Sequence, residues 1–245
     1  MNHRTSKLPY TLYMDILPSM LAWVAPRRCL LCGNLGQPPF PWDAPLCQSC
    51  AASLKPIHGI RCKSCGKELR SEIEFCYSCR ESGKTGFEIF PIFLFRDQAA
   101  QLVRAYKHGG HPSLGGYWKF LVAKEISTRW PDRTLVPVPP RPEKIRAGIW
   151  DQVEEIAWRL EADGLPVARV LCRNRDDQQK RLSKAARAGN AQAAYSLDSR
   201  KQAEVPEKAV ILDDVCTTGA TIATCASVLL NAGAKEVSAI VLAAD

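Results

Sequence analysis

Four Cys-x-x-Cys pairs follow one another between residues 29 and 79, and they constrain the fold of this 245-residue chain more than any other feature. Each pair places two sulfur atoms on one side of a tight turn, and two pairs complete a tetrahedral Zn²⁺ site. The segment is poor in apolar residues, so metal binding would supply its folding energy. We therefore predict two structural zinc ions, bound by Cys29, Cys32, Cys47, Cys50, Cys62, Cys65, Cys76 and Cys79.

The spacing of the pairs leaves two questions open. The intervals between pairs are fourteen, eleven and ten residues, which suit pairing in sequence order, but a crossed arrangement of 29/32 with 62/65 is also possible. A zinc ribbon either presents a contact for nucleic acid or protein, or it is a structural appendage. Gly33 and Gly66 each follow the second cysteine of a pair, where a turn with positive φ favours glycine.

The start of the chain favours the cytoplasm over a membrane or an export route. The apolar stretch from Leu8 to Val24 is interrupted by Asp15 and Pro18, so it is too short and too broken to span a bilayer. No cationic start followed by an apolar run and a small-residue cleavage site is present. In a reducing compartment, paired cysteines indicate metal binding and not disulfides.

The positive charge is concentrated in the middle of the chain. Residues 96–187 carry a net charge of +7, whereas residues 188–245 carry −3. Such a local surplus suits a polyanionic partner, such as phosphates or single-stranded DNA. The alternative, which is the more usual one for an average protein, is a solvated basic face.

Composition divides the chain into an N-terminal helical segment (1–28) ending near Pro26, a cysteine-rich segment (29–84), and an alternating α/β domain (85–245). In residues 85–245, apolar runs typical of strands alternate with segments of helical periodicity, which indicates a parallel sheet covered by helices. We predict strands at 87–95, 134–138, 165–171, 208–212 and 237–243, and helices at 97–107, 114–130, 150–162 and 221–232. Four tryptophans are interpreted as core residues, Trp158 in particular: Trp118, Trp130, Trp150 and Trp158.

The stretch from Val210 to Thr221 carries the most information about chemistry. An apolar strand ends in Asp213 and Asp214, a turn rich in hydroxyl groups follows, and a helix then begins. Such a turn offers backbone N–H groups at a positive helix terminus, which suits a phosphate. The neighbouring carboxylates can accept hydrogen bonds from ribose hydroxyls. The pattern therefore predicts a site for a ribose 5-phosphate, although an ordinary strand–turn–helix is the alternative.

This stretch is similar to the 5-phosphoribosyl diphosphate (PRPP) signature of type I phosphoribosyltransferases: apolar residues, two acids and Thr-Gly-x-Thr. Together with the cysteine pairs it resembles the ComF family, which is linked to DNA uptake in natural competence. Further segments resemble the family in the same order: 105–110, 136–139, an imperfect match at Arg146, Gly148, Asp151 and Gln152, and a catalytic loop containing Gln179, Leu182, Arg187 and Asn190. The implied architecture is a type I phosphoribosyltransferase-like parallel sheet with flanking helices, preceded by a double zinc ribbon.

The resemblance implies roles for individual residues. Asp213, Asp214 and Arg187 would take part in catalysis, with Mg²⁺ accompanying PRPP. PRPP would be bound by both aspartates and by Thr217, Thr218, Gly219, Ala220, Thr221, Lys107 and Arg146. Arg141 and Lys144 are placed to meet the diphosphate, and Arg181 and Lys184 lie on the same predicted loop as Arg187.

Three functions are compatible with this reading. The first is a phosphoribosyltransferase with an unknown acceptor. The second is a catalytically inactive, single-stranded-DNA-binding competence protein that uses PRPP only as a ligand or effector. The third is a zinc-dependent regulator with PRPP as effector, and other competence proteins are possible partners. No helix-turn-helix pattern supports the third function.

Overall fold

The computed structural model describes residues 27–36, 44–69, 74–81, 87–108, 110–174 and 194–245. The chain divides into two compact units, Met1–Leu54 and Lys55–Asp245. The helix predicted before Pro26 lies outside the described residues. The domain boundaries predicted near residues 28 and 84 stay predictions, while the unit boundary places the second set of cysteine pairs together with the α/β sheet.

The first unit contains a small zinc-ribbon fold. Strands β1 (Arg27–Arg28) and β2 (Leu35–Gly36) pair antiparallel, and helix α1 (Gln48–Ser53) follows. The sulfur of Cys47 accepts the N–H of Cys50 at the start of α1. A metal ligand therefore also caps the helix.

The second unit contains the short helix α2 (Tyr77–Glu81) and is built on a four-stranded parallel sheet. Its strands are β3 (Ile89–Leu94), β4 (Thr134–Pro137), β7 (Lys208–Cys216) and β8 (Glu236–Ala244), in the spatial order β3-β8-β7-β4. The central strands β7 and β8 are buried along most of their length, as in a sheet covered on both faces. A separate antiparallel hairpin consists of β5 (Leu171–Arg173) and β6 (Tyr195–Leu197).

Helices form two layers around this sheet. The first consists of α3 (Asp97–His108), α4 (Gly115–Arg129) and α6 (Gln152–Ala162), with the buried rings of Tyr106 and Trp118 between them. The second is α7 (Ala220–Asn231), whose Ile222 and Leu229 join a core cluster with Ile211 of β7. Short helices complete the unit: α5 (Pro142–Arg146) and 3₁₀ turns at Pro112–Leu114 and Ser199–Glu204.

The second zinc ribbon is attached to the edge strand β3. The Ile89 N–H donates to the carbonyl of Ser64 at 2.7 Å, and the Ile57 N–H donates to the carbonyl of Ile92 at 3.0 Å. The guanidinium of Arg61 donates to the carbonyl of Pro91 and lies 4.0 Å from the Phe90 ring centroid. The ribbon therefore covers a sheet edge that would otherwise expose backbone groups.

The predicted alternation of strands and helices is confirmed, with two corrections. The segment 165–171 was predicted as one strand, but only Leu171 belongs to a strand, β5. The rest of the segment forms a single parallel bridge between Val167 and Leu135, and Pro166 has no N–H to donate to a longer ladder. The prediction that Trp158 is a core residue is wrong, since its side chain is 60% exposed. The buried face of α6 is centred on Val153 and Leu160, and Trp158 lies well off that face.

Candidate functional site

The eight paired cysteines form two groups of four. One group contains residues 29, 32, 47 and 50, and the other residues 62, 65, 76 and 79, with all sulfur atoms of a group within 4.8 Å of one another. The Sγ atoms of Cys32 and Cys47 are 3.8 Å apart, and those of Cys65 and Cys76 are 3.7 Å apart. Tetrahedral zinc with bonds of about 2.3 Å requires about 3.8 Å. Both groups therefore fit structural Zn²⁺, and the pairing follows sequence order.

The turn at the first cysteine pair of each group, here called the first knuckle (29–33) and the second knuckle (62–66), has the backbone conformation that the sequence predicted. Gly33 and Gly66 have φ values of +73° and +69°. The N–H of each glycine donates to the carbonyl of the first cysteine of its pair, Cys29 at 2.8 Å and Cys62 at 2.9 Å. These turns bring the two sulfurs of each pair to the same side. Glycine is the residue that adopts the required positive φ without strain.

The two aspartates lie where β7 extends past its neighbour β4. The last residue of β4, Pro137, pairs with Leu212, so Asp213 and Asp214 continue one and two residues further. A cavity of about 540 Å³ opens at this edge. Ligands of open parallel sheets bind at such an edge, outside the carboxyl ends of the strands. The cavity is lined by Lys107, His108, 138–141, Lys144, 151–153, Arg173, Tyr195, 213–215 and Thr221.

Asp214 is held by partners from two helices. Its carboxylate is buried, with Oδ2 2.7 Å from Lys107 Nζ of α3 and accepting the side-chain N–H of Gln152 of α6 at 2.6 Å. The Tyr106 hydroxyl in turn donates to the backbone carbonyl of Gln152 at 3.0 Å. These partners fix the orientation of the buried Asp214 carboxylate.

Asp213 has a different environment. Burial and the adjacent charge of Asp214 raise the pKa of Asp213 to about 7, and Lys107 offsets only part of this effect. Its Oδ1 accepts the backbone N–H of Asp214 at 2.8 Å. Asp213 can therefore gain or lose a proton near neutral pH.

The predicted phosphate-binding turn leads into α7. Gly219 has φ +73° at the N-cap position, and the Ala220 N–H donates to the Thr218 hydroxyl at 3.3 Å. Thr221 lines the same cavity as the aspartates. Thr217, Thr218 and Gly219 line a second cavity of about 410 Å³, together with Cys65, Cys76 and Cys79 of the second zinc ribbon. The turn therefore stands between the two cavities.

The structure brings some predicted cations to the cavity and not others. Lys107, Arg141 and Lys144 line it, and Lys144 lies 3.1 Å from the carboxylate of Asp151, which caps α6. Arg146 is exposed, pairs with Glu143 at 3.3 Å and does not line the cavity. The helix α5 directs it away, because Lys144 and Arg146 are two residues apart on a helix. Arg181, Lys184 and Arg187 lie outside the described residues.

Two cavity residues were not identified from the sequence. Arg173 and Tyr195 face each other across the β5–β6 hairpin and both line the cavity. Neither belongs to a recognisable short motif, and they are separated by 21 residues of sequence. Only the pairing of β5 with β6 reveals them as neighbours.

Comparison with known proteins gives matches to both parts of the chain. Residues 20–80 match the family model "Double zinc ribbon domain". The chain is 24% identical over 221 residues to "Competence protein ComFC" of Streptococcus pneumoniae, covering 86% of this chain and 96% of that protein. It is 25% identical over 232 residues to "Competence protein ComFC" of Bacillus subtilis, covering 87% of this chain and 93% of that protein.

None of the helices described by the structure combines the length and apolar character needed to cross a membrane.

The order of the two parts, a double ribbon with two Cys₄ groups followed by a helix-covered parallel sheet, is the order predicted from the family resemblance. The similarity to both ComFC proteins extends over most of the chain. Together these findings confirm the resemblance predicted from the motifs: the chain has a double zinc ribbon and is similar to two ComFC competence proteins over most of its length.

Proposed function

We propose that this protein binds PRPP at the carboxyl edge of its sheet and transfers the phosphoribosyl group to an acceptor, in a process linked to natural competence. The observation that carries the proposal is the placement of Asp213 and Asp214 at the end of β7, in one cavity with four cations, Lys107, Arg141, Lys144 and Arg173. The names of the two similar proteins support the link to competence.

The carboxylates would hold the sugar. Ribose hydroxyls donate hydrogen bonds to carboxylate oxygens, and Asp214 is preoriented for this by Lys107 and Gln152. The phosphate on C5 would lie against the turn at 217–221, where the helix terminus and the hydroxyls favour an anion. These two contacts place the anomeric carbon beside the basic side of the cavity.

Transfer breaks the bond between the anomeric carbon and diphosphate, so positive charge develops on the sugar and negative charge on the leaving group. Arg141 and Lys144 stand after β4 and would stabilise the departing diphosphate. Asp213, with a pKa near 7, would carry a negative charge close to the sugar at slightly alkaline pH. When bound with PRPP, Mg²⁺ would neutralise phosphate charge, and one or two carboxylates such as Asp213 and Asp214 suit it.

The test measures PRPP binding by titration calorimetry in the presence of Mg²⁺. Asp213→Asn and Asp214→Asn are each expected to weaken binding about tenfold or more, since each removes a charged hydrogen-bond acceptor. Asp132→Asn is the control, because Asp132 pairs with Lys208 and does not line the cavity. Equal affinity of all variants, or no binding by the wild type, contradicts the proposal. Release of diphosphate with candidate bases or amines then tests turnover.

A second candidate is a catalytically inactive single-stranded-DNA-binding protein with PRPP as ligand or effector. The net charge of +7 in residues 96–187 favours it. Several of these cations are paired with acids, including Arg133 with Glu236 and Arg169 with Glu154, which reduces the free charge. This candidate predicts oligonucleotide binding that falls steeply with salt, and PRPP binding without diphosphate release.

A further inference from the structure

The side chain of Arg173 lies in the carboxylate cavity and is supported by an aromatic ring. Its guanidinium carbon is 5.4 Å from the ring centroid of Tyr195, the residue directly opposite on the hairpin. Tyr195 is 5% exposed and lines the cavity together with Thr221 at the start of α7. Strand pairing and the contact with the Tyr195 ring therefore hold Arg173 in the cavity that Thr221 of the proposed phosphate-binding turn also lines.

The charges in the cavity single out Arg173. Lys107 is neutralised by Asp214 at 2.7 Å, and Lys144 by Asp151 at 3.1 Å. Within the described ranges, neither Arg173 nor Arg141 forms an ion pair with a carboxylate; Arg173 is half-buried, whereas Arg141 is exposed. A partly desolvated guanidinium without a counter-charge is unfavourable, so the site is prepared for an anion from solution.

The geometry also specifies the kind of anion. Guanidinium presents a planar fork of N–H groups that matches two oxygens of a phosphoryl group. A side chain fixed on a strand and stacked on a buried ring loses little freedom on binding, which raises affinity. The cavity contains both carboxylates, Asp213 and Asp214, and cations. A ligand that carries ribose hydroxyls next to a phosphoryl group suits this mixture, because the hydroxyls donate to the carboxylates and the phosphoryl group accepts from Arg173.

We propose that Arg173 binds a phosphoryl group of the ligand in this cavity and that Tyr195 is its positioning residue. The inference rests on the proposed function, because the same cavity holds the sugar phosphate. It adds an anion-binding residue that lies outside the sequence motifs of the chain.

The test compares Arg173→Gln, Arg173→Lys and the control Arg200→Gln. Arg200 has an 84% exposed side chain, pairs with Asp198 close to the same hairpin and does not line the cavity. PRPP, ribose 5-phosphate and inorganic diphosphate are titrated separately, each with Mg²⁺, and thermal unfolding without ligand is recorded for every variant. Arg173→Gln is expected to weaken PRPP binding about 10- to 100-fold without lowering the unfolding midpoint.

The separate ligands show which phosphoryl group is bound. A loss with ribose 5-phosphate but not with diphosphate assigns Arg173 to the 5-phosphate, and the reverse result assigns it to the leaving group. Arg173→Lys is expected to recover part of the affinity, because it keeps the charge but not the fork. Tyr195→Leu should weaken PRPP binding more than Tyr195→Phe, which keeps the ring.

Two results overturn the inference. If wild type binds PRPP and Arg173→Gln binds it equally well, Arg173 has no ligand role while the proposed function stands. If wild type binds none of the three ligands, the proposed function and the inference both fail. A drop in affinity shared by Arg200→Gln would indicate a general charge effect and would also contradict a specific role.

Discussion

Asp213 is the residue at which the proposed function and stability conflict. Its raised pKa means that the folded protein favours the protonated carboxyl more than the unfolded chain does. Burial next to Asp214 causes this preference. Keeping a charge here costs folding free energy, and the proposed sugar-phosphate site would account for that cost.

The first prediction concerns Asp213→Asn and pH. Below the unfolded pKa near 4, both states are protonated and the substitution changes little. As pH rises toward 7, the unfolded carboxyl ionises while the folded one resists, so the wild type loses stability relative to the variant. At pH 8 we expect the variant to be more stable by about 2–4 kcal/mol. Chemical denaturation at pH 4.5 and 8 measures this, and a pH-independent difference would contradict it.

The second prediction concerns the pair of Lys107 and Asp214. Lys107→Met removes the counter-charge of a carboxylate that is 5% exposed, so it should destabilise the protein by about 1–3 kcal/mol. Because Lys107 is itself partly exposed, the cost is below that of a fully buried pair. Adding Asp214→Asn should recover most of the loss, since no buried charge then remains. Additive effects in this double-mutant cycle, measured by urea unfolding, would show that the two side chains do not interact.

Among the elements, the second knuckle differs from the first in its surroundings. Gly33 and Gly66 have the same position in their pairs and similar positive φ angles. A Cβ at Gly33 would meet no atom within 4 Å, whereas one at Gly66 would overlap Pro91 Cδ and the carbonyl oxygen of Ile89. The second knuckle thus contacts the backbone of β3 at van der Waals distance.

The third prediction uses this matched pair of glycines. Gly33→Ala should cost about 1 kcal/mol, because only the backbone conformation is strained. Gly66→Ala should cost at least about 2 kcal/mol more, since β3 or the knuckle must also move. Hydrogen exchange at β3, with the zinc content checked for each variant, separates the effects. Equal protection of β3 in both variants would argue against the docked knuckle.

The same elements show what sequence can and cannot predict. Cysteine spacing predicted the two metal groups and the positive φ of Gly33 and Gly66, because ligand geometry and turn conformation are local. The apolar runs likewise predicted β7 and β8. The exposure of Trp158, the orientation of Arg146 and the approach of Arg173 to Tyr195 depend on which elements pack together. No local pattern carries that information.

At the scale of the whole molecule, the two zinc groups belong to different compact units although their motifs are alike. The second group is part of the unit that contains the sheet. Its ribbon bonds to β3, and its cysteines share a cavity with Thr217, Thr218 and Gly219. The second zinc group therefore lies beside the proposed phosphate-binding turn.

The fourth prediction is an asymmetry between the zinc groups. Cys47→Ser and Cys76→Ser each change the first cysteine of the second pair in their group, and each should lose one zinc ion. Because zinc binding supplies folding energy where it occurs, Cys76→Ser should lower the unfolding midpoint of the α/β unit and weaken PRPP binding. Cys47→Ser should leave both almost unchanged, since its group lies in the first unit. Metal analysis, thermal unfolding and PRPP titration on the same samples decide the question. Equal losses in both variants would mean that the first unit also supports the sugar-phosphate site, whereas no loss in Cys76→Ser would mean that β3 and the turn hold their conformation without the metal.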